Sequence, residues 1–202
     1  MPSIQKRIDY ALLDTNLPAM TDTSIAFLEK RLNNSHVVFE WGSGASTFWF
    51  ANRCNTVWSV EYFKDFYEVL VERAEEYSNI NLFLKEPDNK PQEGYIAKHS
   101  SASGKSFKNF AHAIDVFRDQ YFDVIVIDGR VRNRCLDLAI PKLKEGGFII
   151  YDDTNRDAYL NYILPVVEDH FEAIIQLPGV TPDNKRSITS ILYNKKITLL
   201  SR

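Results

Sequence analysis

Five short apolar runs, at residues 36–41, 56–60, 81–84, 122–127 and 148–151, alternate along this chain with stretches of helical periodicity. Each run is too short for a buried helix, and the runs are rich in Val, Ile and Phe, which marks strands. FDVIVI at 122–127 is nearly all apolar, as a parallel strand buried on both faces should be. The intervening stretches carry Ile25, Leu28 and Leu32 behind the capping pair Asp22 and Thr23, then a short helix over 46–53. Phe63, Phe66, Leu70, Ala74 and Tyr77 mark the next helix, followed by one over 110–117. Leu136, Ala139, Ile140 and Leu143 predict another, interrupted near Pro141 and stopped by Gly146-Gly147. The last predicted helix covers 155–170, with a break at Pro165. Two further strands, 171–177 and 187–193, are joined by PGVTPDNKR, which cannot hold a crossover helix, so they pair antiparallel. The pattern predicts an α/β sandwich of three layers around a mostly parallel, seven-stranded sheet that ends in an antiparallel hairpin. Nothing reads as a linker, so residues 1–202 form one expected domain with an N-terminal helical segment over 1–35.

The second constraint is FEWGSGAST at 39–47. A strand runs into two glycines one residue apart, and then into a helix start at Ser46 and Thr47. Glycine permits a sharp turn and a close approach of backbone to a ligand, and the first N–H groups of a helix can face a polar or anionic group. Alone, the pair is also what many buried turns contain.

Composition narrows the classes. With 202 residues, 45% hydrophobic and 25% charged, the chain has ordinary globular proportions. A net charge of −3 advertises neither nucleic acid nor an anionic membrane, so neither is expected as a partner. Two cysteines outside any CxxC argue against a disulfide framework or a thiolate zinc site, and point to a reducing, cytoplasmic setting. No secretory signal or membrane span is expected. The four histidines are widely spaced. Between the third strand and the next helix, residues 86–106 form a long polar insertion with Lys90, Lys98, His99 and Lys105, readable either as a lid or as a solvated loop.

In an open α/β sheet, ligands bind outside the carboxyl ends of the strands. Acids fall at each of those ends: Glu40 beside the glycine turn, Glu61 after strand two, Glu86 after strand three, Asp128 after strand four, and Asp152-Asp153 after strand five. Glu61 lies roughly 20 residues past the turn, where a doubly wound fold places an acceptor for ribose hydroxyls. Four of these acids also have a plain reading: Glu61, Asp152 and Asp153 as helix caps, Asp128 as a turn residue before Gly129.

With these residues the chain resembles the class I S-adenosylmethionine-dependent methyltransferases over nearly its whole length. The resemblance rests on E-x-G-x-G after strand one, the acid after strand two, FDVIVIDG, LKEGG before strand five, and the terminal hairpin. EWGSGAST together with VIDGR is similar to a group of small methyltransferase-like proteins. Thr47 stands where a dinucleotide-binding loop would carry its third glycine. The resemblance implies a Rossmann-like methyltransferase fold with S-adenosylmethionine as cofactor. It implies that Glu40, Gly42, Ser43 and Gly44, with Ser46 and Thr47, line the methionine part of the cofactor. Glu61 would bind the ribose hydroxyls, Glu86 would approach the adenine, and Asp128 would lie near the sulfonium and the acceptor.

Asp128, Asp152 and Asp153 are the candidate catalytic residues, as general bases toward an acceptor hydroxyl. Their positions also match those at which catechol-type relatives hold a divalent metal, although the pair here is Asp-Asp rather than Asp-Asn. Oxygen ligands suit a cation such as Mg²⁺. Arg130, Arg132 and Arg134 alternate in RVRNR, which reads either as a solvated helix start or as placing Arg130 to neutralise these carboxylates or grip an anionic acceptor. The leading expectation is methyl transfer to an oxygen of a small molecule or glycan. A non-catalytic cofactor-binding module and an aminopropyltransferase are the alternatives.

Overall fold

The computed structural model describes residues 8–9, 17–97 and 103–194. Its seven strands form one sheet in the order β3-β2-β1-β4-β5-β7-β6. They are β1 Val37–Trp41, β2 Thr56–Glu61, β3 Ile80–Leu84, β4 Phe122–Ile127, β5 Leu143–Tyr151, β6 Phe171–Val180 and β7 Arg186–Asn194. The first five run parallel, and β7 inserts antiparallel between β5 and β6. The helices are α1 Asp22–Glu29, α2 Ala45–Ala51, α3 Lys64–Ala74, α4 Lys108–Ala111, α5 Arg132–Ala139 and α6 Asp157–His170. The expected fold is therefore the one present.

Side chains on a strand alternate between faces, and each central strand feeds two cores. Phe39 and Trp41 of β1, Ile125 and Ile127 of β4, and Ile149 and Tyr151 of β5 join one apolar cluster with Phe107, Phe110 and Leu136. Val38, Val124, Val126, Phe148 and Ile150 join another, with Leu28, Trp49 and Phe50. Covering both faces is what a parallel sheet requires, and each fully buried large side chain contributes about 1.5–3 kcal/mol.

Several local expectations shift. The cap of α1 is Thr21, one residue earlier than expected, and its hydroxyl accepts the Ser24 N–H while donating to the Leu177 carbonyl of β6. Gly146-Gly147 does not stop a helix; it lies inside β5, at a register shift against β4. Gly146 has φ 77°, and a Cβ on Gly147 would fall 2.7 Å from the Asp123 carbonyl oxygen, so the pair forms a bulge where strands crowd. Pro165 does not break α6, which runs through it. Pro165 and Asn161 are both exposed, so the carbonyl that loses its helical partner faces water. Of the expected insertion, Lys98 and His99 lie outside the described residues, as does most of the 1–35 segment before Leu17. The described flanks pair with each other through Asp88 and Ile96 against Ser106.

Candidate active site at the strand ends

Gly42 carries the chain off β1 with φ 96°, a backbone conformation that L side chains rarely adopt. Its N–H still bonds to the Val60 carbonyl of β2, and a Cβ here would lie 2.1 Å from the Asp128 carbonyl oxygen. The turn is thus pressed onto the end of β4. Gly44 behaves oppositely. Its backbone is extended and a Cβ would meet nothing within 4 Å. Open space lies over Gly44 and none over Gly42.

Glu40 braces the turn from within. It is completely buried, and its carboxylate accepts the hydroxyls of Ser46 (2.5 Å), Thr47 (2.6 Å) and Ser59 (2.6 Å). Ser43 shares a hydrogen bond of 2.7 Å with Ser59, and the Thr47 hydroxyl accepts the Gly44 N–H. Burial pushes the Glu40 carboxyl up, and the three hydroxyls hold it back. Both Glu40 oxygens are engaged by the protein, so the structure gives this residue the task of shaping the turn. Ser59 had no sequence signal beyond its place in β2 opposite Glu40.

Glu61 is also fully buried, and its Oε1 accepts the N–H groups of Tyr62 (2.9 Å) and Phe63 (2.8 Å). Both donors lie just ahead of α3, and among the described residues no side chain caps the first turn of that helix. Glu86 is exposed, two residues past β3. The segment after the insertion closes over the strand ends: the Phe110 carbonyl accepts Trp41 Nε1–H at 2.9 Å, and the Tyr62 ring meets Phe107 and Phe110 edge to face.

Asp128, Asp152 and Asp153 come together, with one carboxylate oxygen from each lying within 4.8 Å of the others. The cation among them is Arg132, not Arg130. Arg132 Nη2 lies 2.7 Å from Asp128 Oδ1 and 3.1 Å from Asp153 Oδ2. Its Nη1 donates to the Asp152 carbonyl, and its Nε to the Gly129 carbonyl at 3.2 Å. Arg132 is buried, and Tyr159 lies against its guanidinium at 5.4 Å. Thr189 donates to Asp152 Oδ1 at 2.7 Å, and Arg156 reaches Asp153 Oδ2 at 2.6 Å. Arg130 instead donates to the Tyr62 hydroxyl at 2.8 Å, and Arg134 is exposed. Reading RVRNR as alternation hid the relevant signal, the four-residue spacing from Asp128 to Arg132 across the start of α5. Val131, the residue before Arg132, is left-handed at φ 44°. For a β-branched residue that conformation costs about 1–2 kcal/mol.

Burial raises the Asp128 and Asp152 carboxyls; Arg132 opposes it, and the neighbouring carboxylates add to it. A raised carboxyl holds its proton in the folded state after the unfolded chain has released it. Its contribution to stability is therefore present at low pH and lost as pH rises from the ordinary range near 3.8 through the raised value. Asp152→Asn should accordingly gain stability relative to the parent protein in urea unfolding as pH rises from about 4 through the raised value of Asp152. A difference that stays flat with pH would contradict the raised value.

Similarities agree with this geometry. A family model described as a methyltransferase domain matches residues 39–154, more than half of the chain, from β1 through Asp152 and Asp153. No curated protein sequence matches. Among solved structures, the chain is similar to the tRNA (m1A58) methyltransferase TrmI of Aquifex aeolicus, at 15% identity and a TM-score of 0.60, over 96% of this chain and 77% of that one. It is similar to an rRNA methylase of Streptococcus thermophilus at 14% identity and a TM-score of 0.59, over 85% and 93%. A putative methyltransferase of Streptococcus mutans, in complex with SAH, matches at 12% identity and a TM-score of 0.56, over 83% and 94%. At these identities the likeness shows the fold. It also corrects the expected partners. The fold is shared with a tRNA and an rRNA methylase, so the expectation of no nucleic acid falls, and with it the restriction to small molecules and glycans. The physical reason is that a net charge of −3 is a sum over the whole surface, whereas nucleic acid is read by a local patch. Among the described residues no helix is long and apolar enough to cross a membrane, and Cys54 and Cys135 are both free and buried. The glycine turn, the strand-end acids and the match across them identify the chain as a member of the class I S-adenosylmethionine-dependent methyltransferases.

Proposed function

We propose that the protein transfers a methyl group from S-adenosylmethionine to an acceptor hydroxyl, with Asp128 as general base. The observation that carries this reading is a carboxyl with a raised pKa whose own backbone packs against the cofactor turn: the Asp128 carbonyl abuts Gly42. A buried carboxyl whose pKa is raised is a stronger base than an ordinary one. The cofactor fits the residues present. Open space over Gly44 leaves room for its methionine portion beside Ser43, and Glu61 ends the strand where ribose hydroxyls are held. When bound, it supplies an already activated methyl group, so the protein's part is alignment, worth roughly 7–11 kcal/mol at best. Glu40 keeps the turn rigid for that task. Asp128 takes the proton the acceptor gives up, and Arg130, which donates to the Tyr62 hydroxyl, is the proposed contact for the acceptor.

Radiolabelled methyl transfer from S-adenosylmethionine to a panel of tRNA, rRNA, phenols and glycans tests the reading. Asp128→Asn should reduce any transfer found by about 10²–10⁴-fold. Undiminished transfer by that variant would remove Asp128 from the chemistry. Label appearing on nitrogen, carbon or sulfur alone would remove the hydroxyl.

A further inference from the structure

The guanidinium of Arg132 lies where the three strand-end carboxylates converge. Their oxygens lie within 4.8 Å of one another, a spacing at which a hard divalent cation could bridge them. Yet each of those carboxylates already has a protein donor. Asp128 and Asp153 share one Arg132 nitrogen, at 2.7 and 3.1 Å, and Asp152 accepts from Thr189 at 2.7 Å. The remaining Arg132 donors tie the Asp152 and Gly129 carbonyls, so one side chain spans the ends of β4 and β5. Tyr159 lies against it.

The backbone is shaped for this contact on both sides. Among the described residues four non-glycine residues have positive φ, and two of them are here: Val131, which precedes Arg132, and Asp153, which pairs with it. Strained conformations persist where the surroundings over-determine them, and they gather at working sites. An arginine does not lose its charge at any accessible pH, and the flanking carboxylates make this one harder still to deprotonate.

We propose that Arg132 is a built-in replacement for a divalent cation, a positioning residue that cross-links Asp128 and Asp153 and makes the reaction centre metal-independent. The inference rests on the methyltransferase reading for its meaning, but not for its test. It carries a consequence for the acceptor. A bound Mg²⁺ would favour a chelating acceptor such as a catechol and would lower the Asp128 carboxyl. A planar guanidinium whose donors are already engaged offers no open coordination position, so chelation does not select the acceptor and an isolated hydroxyl can serve.

Manganese binding, read by electron paramagnetic resonance on EDTA-dialysed protein, tests this without any substrate. The parent protein should bind no Mn²⁺ at sub-millimolar concentration. Arg132→Ala should gain one site, with affinity at least about tenfold higher, and Arg132→Ala combined with Asp153→Asn should lose it again. Arg132→Lys, which keeps the charge, should not gain it. If the parent protein binds Mn²⁺ and Asp153→Asn abolishes that binding, the proposal is overturned; this arm stands even if Arg132→Ala fails to fold. A folded Arg132→Ala that binds no Mn²⁺ overturns it as well. Absence of cofactor binding in the parent protein would instead sink the methyltransferase reading alone.

Discussion

Gly42→Ala should lower the stability of the protein by about 4 kcal/mol, while Gly44→Ala should leave it within about 1 kcal/mol. The two glycines are one residue apart, and their demands are opposite. At position 42 a methyl group meets the Asp128 carbonyl at 2.1 Å, with φ at 96°, so it meets both a clash and a strained backbone. At roughly 2–4 °C per kcal/mol the melting temperature should fall by about 8–16 °C. At position 44 the methyl meets nothing within 4 Å, and the backbone is extended. Its effect should appear only when the open space is filled: S-adenosylhomocysteine should bind about tenfold more weakly to Gly44→Ala. Thermal melts and calorimetry read the two separately. Equal stabilities for the two variants would contradict the geometry of the turn.

Glu40→Ala should be the second large effect, a loss of about 3 kcal/mol. The carboxylate accepts three hydroxyls in a fully buried place, and its removal leaves Ser46, Thr47 and Ser59 without their common acceptor. Glu40→Gln keeps the volume and one acceptor oxygen, so it should cost about half as much. A thermal melt of Glu40→Ala within about 2 °C of the parent would show that the turn does not depend on this brace.

The sheet was legible because its evidence is local and redundant. Apolar runs such as FDVIVI mark strands, the short connection between β6 and β7 forbids a crossover, and topology rules do the rest. Elements went astray where tertiary contact overrides a local signal. Gly146-Gly147 is stop chemistry by sequence but a bulge in β5, because Asp123 crowds it. Pro165 reads as a break but sits on the wet side of α6. The site divides in the same way. Acids at strand ends can be placed from sequence, since topology alone brings Asp128, Asp152 and Asp153 together. Which arginine answers them cannot, because Arg130 and Arg132 are alike in the sequence and differ only in the tertiary contacts they make, one with Tyr62 and the other with Asp128 and Asp153. The partner of Glu40 on β2, Ser59, is likewise a matter of strand register and not of any motif.

The central claim is that the turn at Gly42 and Gly44 is an S-adenosylmethionine site. Isothermal calorimetry with S-adenosylhomocysteine tests it most directly, since it requires neither the acceptor nor turnover. The account predicts one site per chain with micromolar to sub-millimolar affinity in the parent protein, weakened in Gly44→Ala. No heat of binding in a folded parent protein, or equal affinity in Gly44→Ala, would contradict it.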